Sequence, residues 1–233
     1  MLTLYPAASR HSFDRGWIRG NYSFSFGDYE DPNHHQFGPL RVFNDDTIAP
    51  GRGFGAHPHS DMEIVSIVLS GQLRHEDNQG NEAVTSFGEI QRMSAGSGII
   101  HTEHNSSETE ELNLLQMWFM PSSRGLAPSY EMTRFDPALM TNNLLPVVAQ
   151  QGSAQVAAIH QDMTIYLSKL DGSKQISFTQ AEGRKVFIFV IEGHLTINEH
   201  HLLETRDSAR ITDIPCLELG TSSSASFVLI DLP

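Results

Sequence analysis

The chain has 233 residues, 39% of them hydrophobic and 18% charged, enough length and apolar content to bury a globular core. Its formal charge of −13 and isoelectric point near 5.2 argue against nucleic acid as a direct, charge-driven ligand. The single cysteine, Cys216, cannot form an internal disulfide, no stretch approaches the ~18 apolar residues of a membrane span, and residues 1–8 lack the basic start of a signal peptide. The expectation is a soluble, cytoplasmic protein with no membrane contact, and a monomer.

Taken in chain order, the predicted elements are strands almost throughout, with Pro and Gly as punctuation. Residues 40–43 predict a strand that ends at the turn-like Asn44-Asp45-Asp46. The glycine-rich Gly51-Arg52-Gly53-Phe54-Gly55-Ala56 leads into a strand carrying His57-Pro58-His59. Residues 62–69 form a β-branched run closed by Ser70-Gly71; residues 72–76 follow, and Asp77-Asn78-Gln79-Gly80-Asn81 is a strong turn. A further strand carries His101-Thr102-Glu103, and the apolar run 112–120 stops at Pro121. The Ser, Arg, Gly and Pro of residues 121–128 read as a linker. Residues 136–140 predict one helical turn; residues 185–191, 195–198 and 227–232 predict strands. The stretch Val65 to Leu73 and the stretch Ile188 to Leu195 share one pattern: an apolar strand, a polar residue, a Gly and a new strand. That pattern hints at an internal duplication. The expected fold is all-β, with two jelly-roll domains over residues 1–130 and 131–233, packed face to face.

The chemistry is concentrated in two short stretches about 40 residues apart. His57-Pro58-His59 and His101-Thr102-Glu103 each place two ligand-type side chains at i and i+2. On a strand these point to one face. Two such strands inside a barrel would converge three imidazoles and a carboxylate on one point. That donor set suits Fe(II), Mn, Co, Ni, Cu(II) or Zn, with no thiolate to favour Cu(I). Four protein ligands on a six-coordinate ion leave two positions for exogenous ligands.

The glycine spacing and His-x-His match the start of the first cupin motif, a Gly, five residues, then His-x-His. The motif then wants a Glu followed by six residues and a Gly, but seven separate Glu63 from Gly71, so that aligning on Gly71 puts Ile64 where the Glu should be. In the second motif Gly98, Ile99, Ile100, His101 and Asn105 keep the later spacing, while Gly96 replaces the Pro and the stretch from Gly88 is two residues longer. Glu103 could therefore supply the carboxylate in place of Glu63.

With these departures the chain resembles the pirin family of bicupins. The resemblance is carried by Tyr22-Ser23-Phe24-Ser25-Phe26, Leu40-Arg41-Val42-Phe43-Asn44-Asp45-Asp46 and Gly53-Phe54-Gly55-Ala56-His57-Pro58-His59-Ser60-Asp61-Met62-Glu63. It continues in Gln91-Arg92-Met93-Ser94-Ala95-Gly96-Ser97-Gly98-Ile99-Ile100-His101-Thr102-Glu103, His160-Gln161-Asp162-Met163 and Leu229-Ile230-Asp231-Leu232-Pro233. It implies two cupin domains, with metal in the first only, and it maps the iron ligands onto His57, His59, His101 and Glu103. It also implies a metal-dependent dioxygenase able to cleave flavonols such as quercetin. By that resemblance a flavonol chelates the metal through its 3-hydroxyl, Glu103 accepts the proton, O₂ adds, and the central ring opens with loss of CO. Fe(II) is the expected metal, with Zn, Ni, Mn, Co or Cu as alternatives. Because the human member is described as a nuclear transcription cofactor, the alternative is a redox- or metal-sensing module acting through a regulatory protein partner.

The remaining polar and sulfur-bearing residues read as ordinary. Glu63 reads as a polar residue on the other strand face, and His104 alternates away from the ligands. His34-His35 reads as an exposed loop pair. Phe54, Met93 and Gln116 read as packing residues, with lining of the cavity as the alternative, and Cys216 as an inert, buried thiol. The later histidines, His160, His194, His200 and His201, form no His-x-His pair after a Gly-rich turn.

Overall fold

A computed structural model describes all 233 residues. Strand makes up 56% of the chain and helix 3%, the latter as two short 3₁₀ turns, Ala7–Ser9 and Pro137–Met140. The second of these is the predicted single turn; the Asp136 side chain caps it by accepting from the Ala138 N–H. Two compact units emerge: one formed by His11–Phe135 and Gln150–Gln161, the other by Met1–Arg10, Asp136–Ala149 and Asp162–Pro233. The first ten residues, placed by sequence in the first domain, thus group with the second unit. Their strand β1 (Leu2–Tyr5) is described there.

The first unit is an antiparallel barrel. Its strands are β2 (His11–Asp14), β3 (Ile18–Tyr22), β4 (Leu40–Ile48), β5 (Gly53–His59), β6 (Glu63–Ser70) and β7 (Leu73–Asp77), then β8 (Glu82–Thr85), β9 (Glu89–Ser94), β10 (Ile99–Asn105), β11 (Leu112–Phe119) and β12 (Ser129–Arg134). The large sheet runs β12-β9-β6-β11-β4-β3-β2 and the small sheet β5-β10-β7-β8. Ile18, Ile48, Val68, Leu73, Leu112 and Leu114 form one buried apolar cluster, and Ile64, Met93, Ala95 and Ile99 another.

One turn predicted from sequence is absent. Asn44, Asp45 and Asp46 continue β4, because β3 and β11 pair with it along this stretch: Asn44 faces Tyr22 on one side and Gln116 on the other. Their turn preference is overridden by that pairing and by hydrogen bonds. The Asn113 amide, for example, donates to Asp45 Oδ1 at 3.2 Å and to the Asp46 carbonyl at 2.9 Å.

The second unit repeats the plan. Its strands are β13 (Leu145–Ala149), then, beyond β14 (Ala157–Ala158) of the first unit, β15 (Thr164–Leu170), β16 (Gln175–Thr179), β17 (Lys185–Gly193), β18 (Leu195–Ile197), β19 (His201–Leu203), β20 (Ser208–Thr212), β21 (Cys216–Gly220) and β22 (Ala225–Leu232). The large sheet runs β1-β20-β17-β22-β15-β13 and the small sheet β16-β21-β18-β19. From β1 to β13 this is the order of the first unit's large sheet from β12 to β3, and the small sheets match strand for strand. The duplication hinted at in sequence is the β6–β7 corner and its counterpart β17–β18. Gly71 and Gly193 turn these corners at φ +82° and +85°. A Cβ would lie 2.5 Å from the Glu111 carbonyl oxygen at the first and 2.1 Å from that of Ser224 at the second. Both glycines are required for the same two reasons, left-handed backbone and close approach of a neighbouring strand.

The second unit is filled with hydrocarbon. Val186, Ile188, Val190, Leu217, Leu219, Phe227 and Leu229 belong to one fully buried cluster. Cys216 departs from expectation: it opens β21 on an exposed side of the strand, with its Sγ 3.5 Å from Glu218 Oε1. Strand alternation buries Leu217 and Leu219 and turns Cys216 out.

Candidate metal centre

Three adjacent strands of the small sheet each contribute an i, i+2 pair. On β5 the exposed Pro58 separates the half-buried His57 and His59. On β10 His101 and Glu103 are buried, while Ile100 is exposed and Thr102 and His104 are half-buried. His101 lies directly opposite His57, and a register shift between His101 and Glu103 then sets Glu103 against Phe54. On β7, His75 pairs with Glu103, and Asp77 with His101. The His75/Asp77 pair is one that sequence reasoning missed. Its signal is the same alternation, masked because Asp77 both ends the strand and accepts from the Gln79 and Asn81 N–H groups of the turn that follows.

Donor atoms of His57, His59 and His101 all lie within 4.8 Å of one another. Ring centroids are 4.4 Å apart for His57 and His101, 4.8 Å for His57 and His59, and 4.9 Å for His59 and His101. Hydrogen bonds assign the ring nitrogens. His57 Nδ1 sits 2.8 Å from the Gly55 carbonyl oxygen, which can only accept, so Nδ1 carries the proton and Nε2 is left with its lone pair. His101 Nδ1 faces His75 Nδ1 at 3.3 Å, while His101 Nε2 is buried without a hydrogen-bonding partner. Burial, then the neighbouring His57, pushes the His59 imidazolium down to about 4. Burial, then His57, His59 and His75, pushes His101 down to about 3, with Asp77 opposing. Neutral imidazoles with unused lone pairs, one of them an orphan in the interior, are the donor set a divalent transition metal requires.

Glu103 borders this cluster and, with His75 and His101, forms a second set whose donor atoms lie within 4.8 Å of one another. Its carboxylate is 3% exposed and tightly held. Gln91 Nε2 donates to Oε1 at 2.6 Å and Gln116 Nε2 to Oε2 at 2.7 Å. Each amide is turned by an aromatic donor, the Tyr130 hydroxyl to Gln91 Oε1 at 3.2 Å and the Trp118 indole N–H to Gln116 Oε1 at 3.2 Å. Burial raises the Glu103 pKa; His75, the two amides and His57 oppose it. The result is a carboxylate with both oxygens oriented and a raised proton affinity.

A cavity of about 350 Å³ opens onto the cluster, lined by His57, His59, Glu103 and Gln116 and walled by aromatic rings, including Trp17, Tyr22, Phe26, Phe54 and Trp118. Trp118 stands edge-on to His59, at 4.7 Å and 84°, and to Phe26, at 5.1 Å and 86°. Phe54 and Gln116 therefore line the cavity and are more than packing residues. Met93 sits in the apolar cluster with Ile64, Ala95 and Ile99.

Glu63 lies in neither donor set. It is 1% exposed and accepts from Ser94 Oγ at 2.8 Å and the His160 N–H at 3.2 Å, with His160 Nδ1 3.3 Å from its other oxygen. It anchors the segment around His160. His34 is half-buried, with Nδ1 3.2 Å from Asp31 Oδ2. In the second unit, strands β16 and β21 stand where β5 and β10 stand in the first. They present Ile176 opposite Leu219 and Phe178 opposite Leu217.

The family model named Pirin matches residues 6–119, and that described as the quercetinase C-terminal cupin domain matches residues 146–232. The chain is 42% identical over 233 residues to a protein of Escherichia coli (strain K12) named quercetin 2,3-dioxygenase, covering 100% of this chain and 99% of the relative. It is 36% identical over 219 residues to a pirin-like protein of Caulobacter vibrioides, covering 94% of each. It matches the crystal structure of the bacterial pirin YhhW from Escherichia coli in complex with nickel(II) with a TM-score of 0.94 at 39% identity, over 100% of this chain and 99% of that one. With a relative this similar over its full length, and with two barrels of one topology, the chain belongs to the pirin family.

Proposed function

We propose that this protein is a metal-dependent dioxygenase of pirin type that cleaves flavonols such as quercetin with O₂. The carrying observation is the convergence of His57, His59 and His101, with Glu103 beside them, where His57, His59 and Glu103 line an aromatic-walled cavity. In this reading His57, His59, His101 and Glu103 hold one divalent metal, for which Fe(II) is the preferred ion. Such an ion would supply Lewis acidity toward a substrate oxygen and, when redox-active, a partner for O₂. The nickel(II) complex of the related bacterial pirin supports an ion of this class.

The chain's own groups divide the remaining work. Trp17, Phe26, Phe54 and Trp118 offer flat apolar surfaces to a planar ring system. Glu103, oriented by Gln91 and Gln116, takes the 3-hydroxyl proton; burial strengthens it as a base. The names of the relatives, quercetin 2,3-dioxygenase among them, support the substrate class.

The test pairs elemental analysis of protein purified without chelator or affinity metal with O₂ consumption on quercetin. Close to one transition metal per chain and quercetin-dependent O₂ uptake are expected. Absence of both overturns the proposal. Metal without turnover would transfer the case to a metal-sensing regulatory module.

A further inference from the structure

The pair His75 and Asp77 lies behind His101, away from the cavity lining, and both side chains are 0% exposed. His75 Nε2 is 3.0 Å from Asp77 Oδ2. Asp77 cannot turn away. Its Oδ1 accepts the Gln79 N–H at 2.9 Å and the Asn81 N–H at 3.1 Å, and the Asn81 amide Nδ2 lies 2.9 Å from Oδ2. The ring of His75 is equally constrained, stacked on Tyr130 at 4.4 Å and 20°.

These contacts dictate where protons sit. A carboxylate only accepts, so His75 Nε2 carries a proton and donates it. A ring that carries only this proton offers Nδ1 as an acceptor. The group facing it at 3.3 Å is His101 Nδ1, which in that arrangement donates. His101 is thereby fixed in the tautomer with a bare Nε2, the buried atom without a hydrogen-bonding partner. The opposite tautomer would point an N–H where a metal ligand is needed.

We propose that Asp77 and His75 form a positioning relay that sets the tautomer, orientation and donor strength of His101 as a metal ligand. This rests on the metal reading of the cluster. It makes the 77–81 turn part of the centre, although no residue of that turn borders the cavity. Outer partners of this kind typically change metal affinity by 10–100-fold.

Three full-length variants test it, with Ni(II) affinity by chelator competition, the Fe(III)/Fe(II) potential and the thermal midpoint as readouts. His75→Phe keeps a ring on Tyr130 but offers no acceptor, and about 10–100-fold weaker Ni(II) binding is expected. His75→Gln can accept from His101 Nδ1 through its amide oxygen and should recover most of that loss. Asp77→Asn keeps an acceptor for the turn but removes the negative charge, so the iron potential should rise. Equal losses in His75→Phe and His75→Gln would mean that the residue only fills space and would overturn the relay. Wild-type affinity in His75→Phe would do the same. Should His75→Phe not fold, an unchanged potential and affinity in Asp77→Asn overturns the relay alone. A wild-type chain that binds no Ni(II) or iron fails the metal reading instead.

Discussion

Glu103 is held by two amide donors, and that changes what its replacement does. Glu103→Gln retains shape and a coordinating oxygen but cannot accept the substrate proton at neutral pH. It also has a single acceptor oxygen for the amides of Gln91 and Gln116, so one buried N–H loses its partner, at about 1–3 kcal/mol. The expected outcome is a chain with a reduced but measurable share of its iron and flavonol cleavage per bound iron down by about a hundredfold or more. Turnover per iron equal to wild type, after anaerobic loading and exposure to O₂, would remove the base role. Glu63 predicts the reverse. Its loss to Ala strips the Ser94 hydroxyl and the His160 N–H of their shared acceptor, at about 1–3 kcal/mol for the buried Ser94 donor if it is left unsatisfied. The thermal midpoint should fall while metal per folded chain stays at the wild-type level. Metal loss in Glu63→Ala with retention in Glu103→Ala would reverse the assignment of the carboxylate.

At the scale of elements, the centre depends on how closely β5 approaches β10. Gly53 faces His104 in that pairing, and a Cβ there would lie 2.3 Å from the Glu103 carbonyl oxygen and from His104 Cα. Backbone atoms cannot swing aside, so Gly53→Ala should push apart the strand bearing His57 and His59 and the strand bearing His101 and Glu103. Weaker Ni(II) binding with all ligands present is the expected result; wild-type affinity would show that the strands re-pair at no loss. This dependence on register also explains what was legible in the sequence. His-x-His and His-x-Glu could be read because the strand pleat preserves a spacing of two in every context. The holding of Glu103 by Gln91 and Gln116, and of Gln91 by Tyr130, could not be read, since each contact joins different strands; Trp118 sits two residues from Gln116 on β11, but its role follows only once Gln116 is seen to reach Glu103. Asn44-Asp45-Asp46 misled for a related reason: local turn preference was visible, and the two flanking strands that override it were not.

Across the whole molecule, one strand order serves two interiors. The corner glycines Gly71 and Gly193 are shared, so the β6–β7 and β17–β18 backbones close alike, while the facing strands carry imidazoles in one barrel and Ile176, Phe178, Leu217 and Leu219 in the other. The second barrel draws its outermost large-sheet strand from the other end of the chain. Leu2, Thr3, Leu4 and Tyr5 pair with Ile211, Arg210, Ala209 and Ser208, Leu2 packs on the apolar cluster, and the Arg210 guanidinium lies 4.2 Å from the centroid of Tyr5. Deleting residues 1–5 would leave β20 as a bare edge with unpaired N–H and C=O groups, a template for pairing with another chain. The expected outcome is a lower thermal midpoint and concentration-dependent association, seen by light scattering. The proposed ligands, His75, Asp77 and the amides around Glu103 all lie outside the deleted segment, so metal per soluble chain should be unchanged. Loss of metal with the thermal midpoint intact would mean that the amino-terminal strand serves the centre, and it would sink this division of labour.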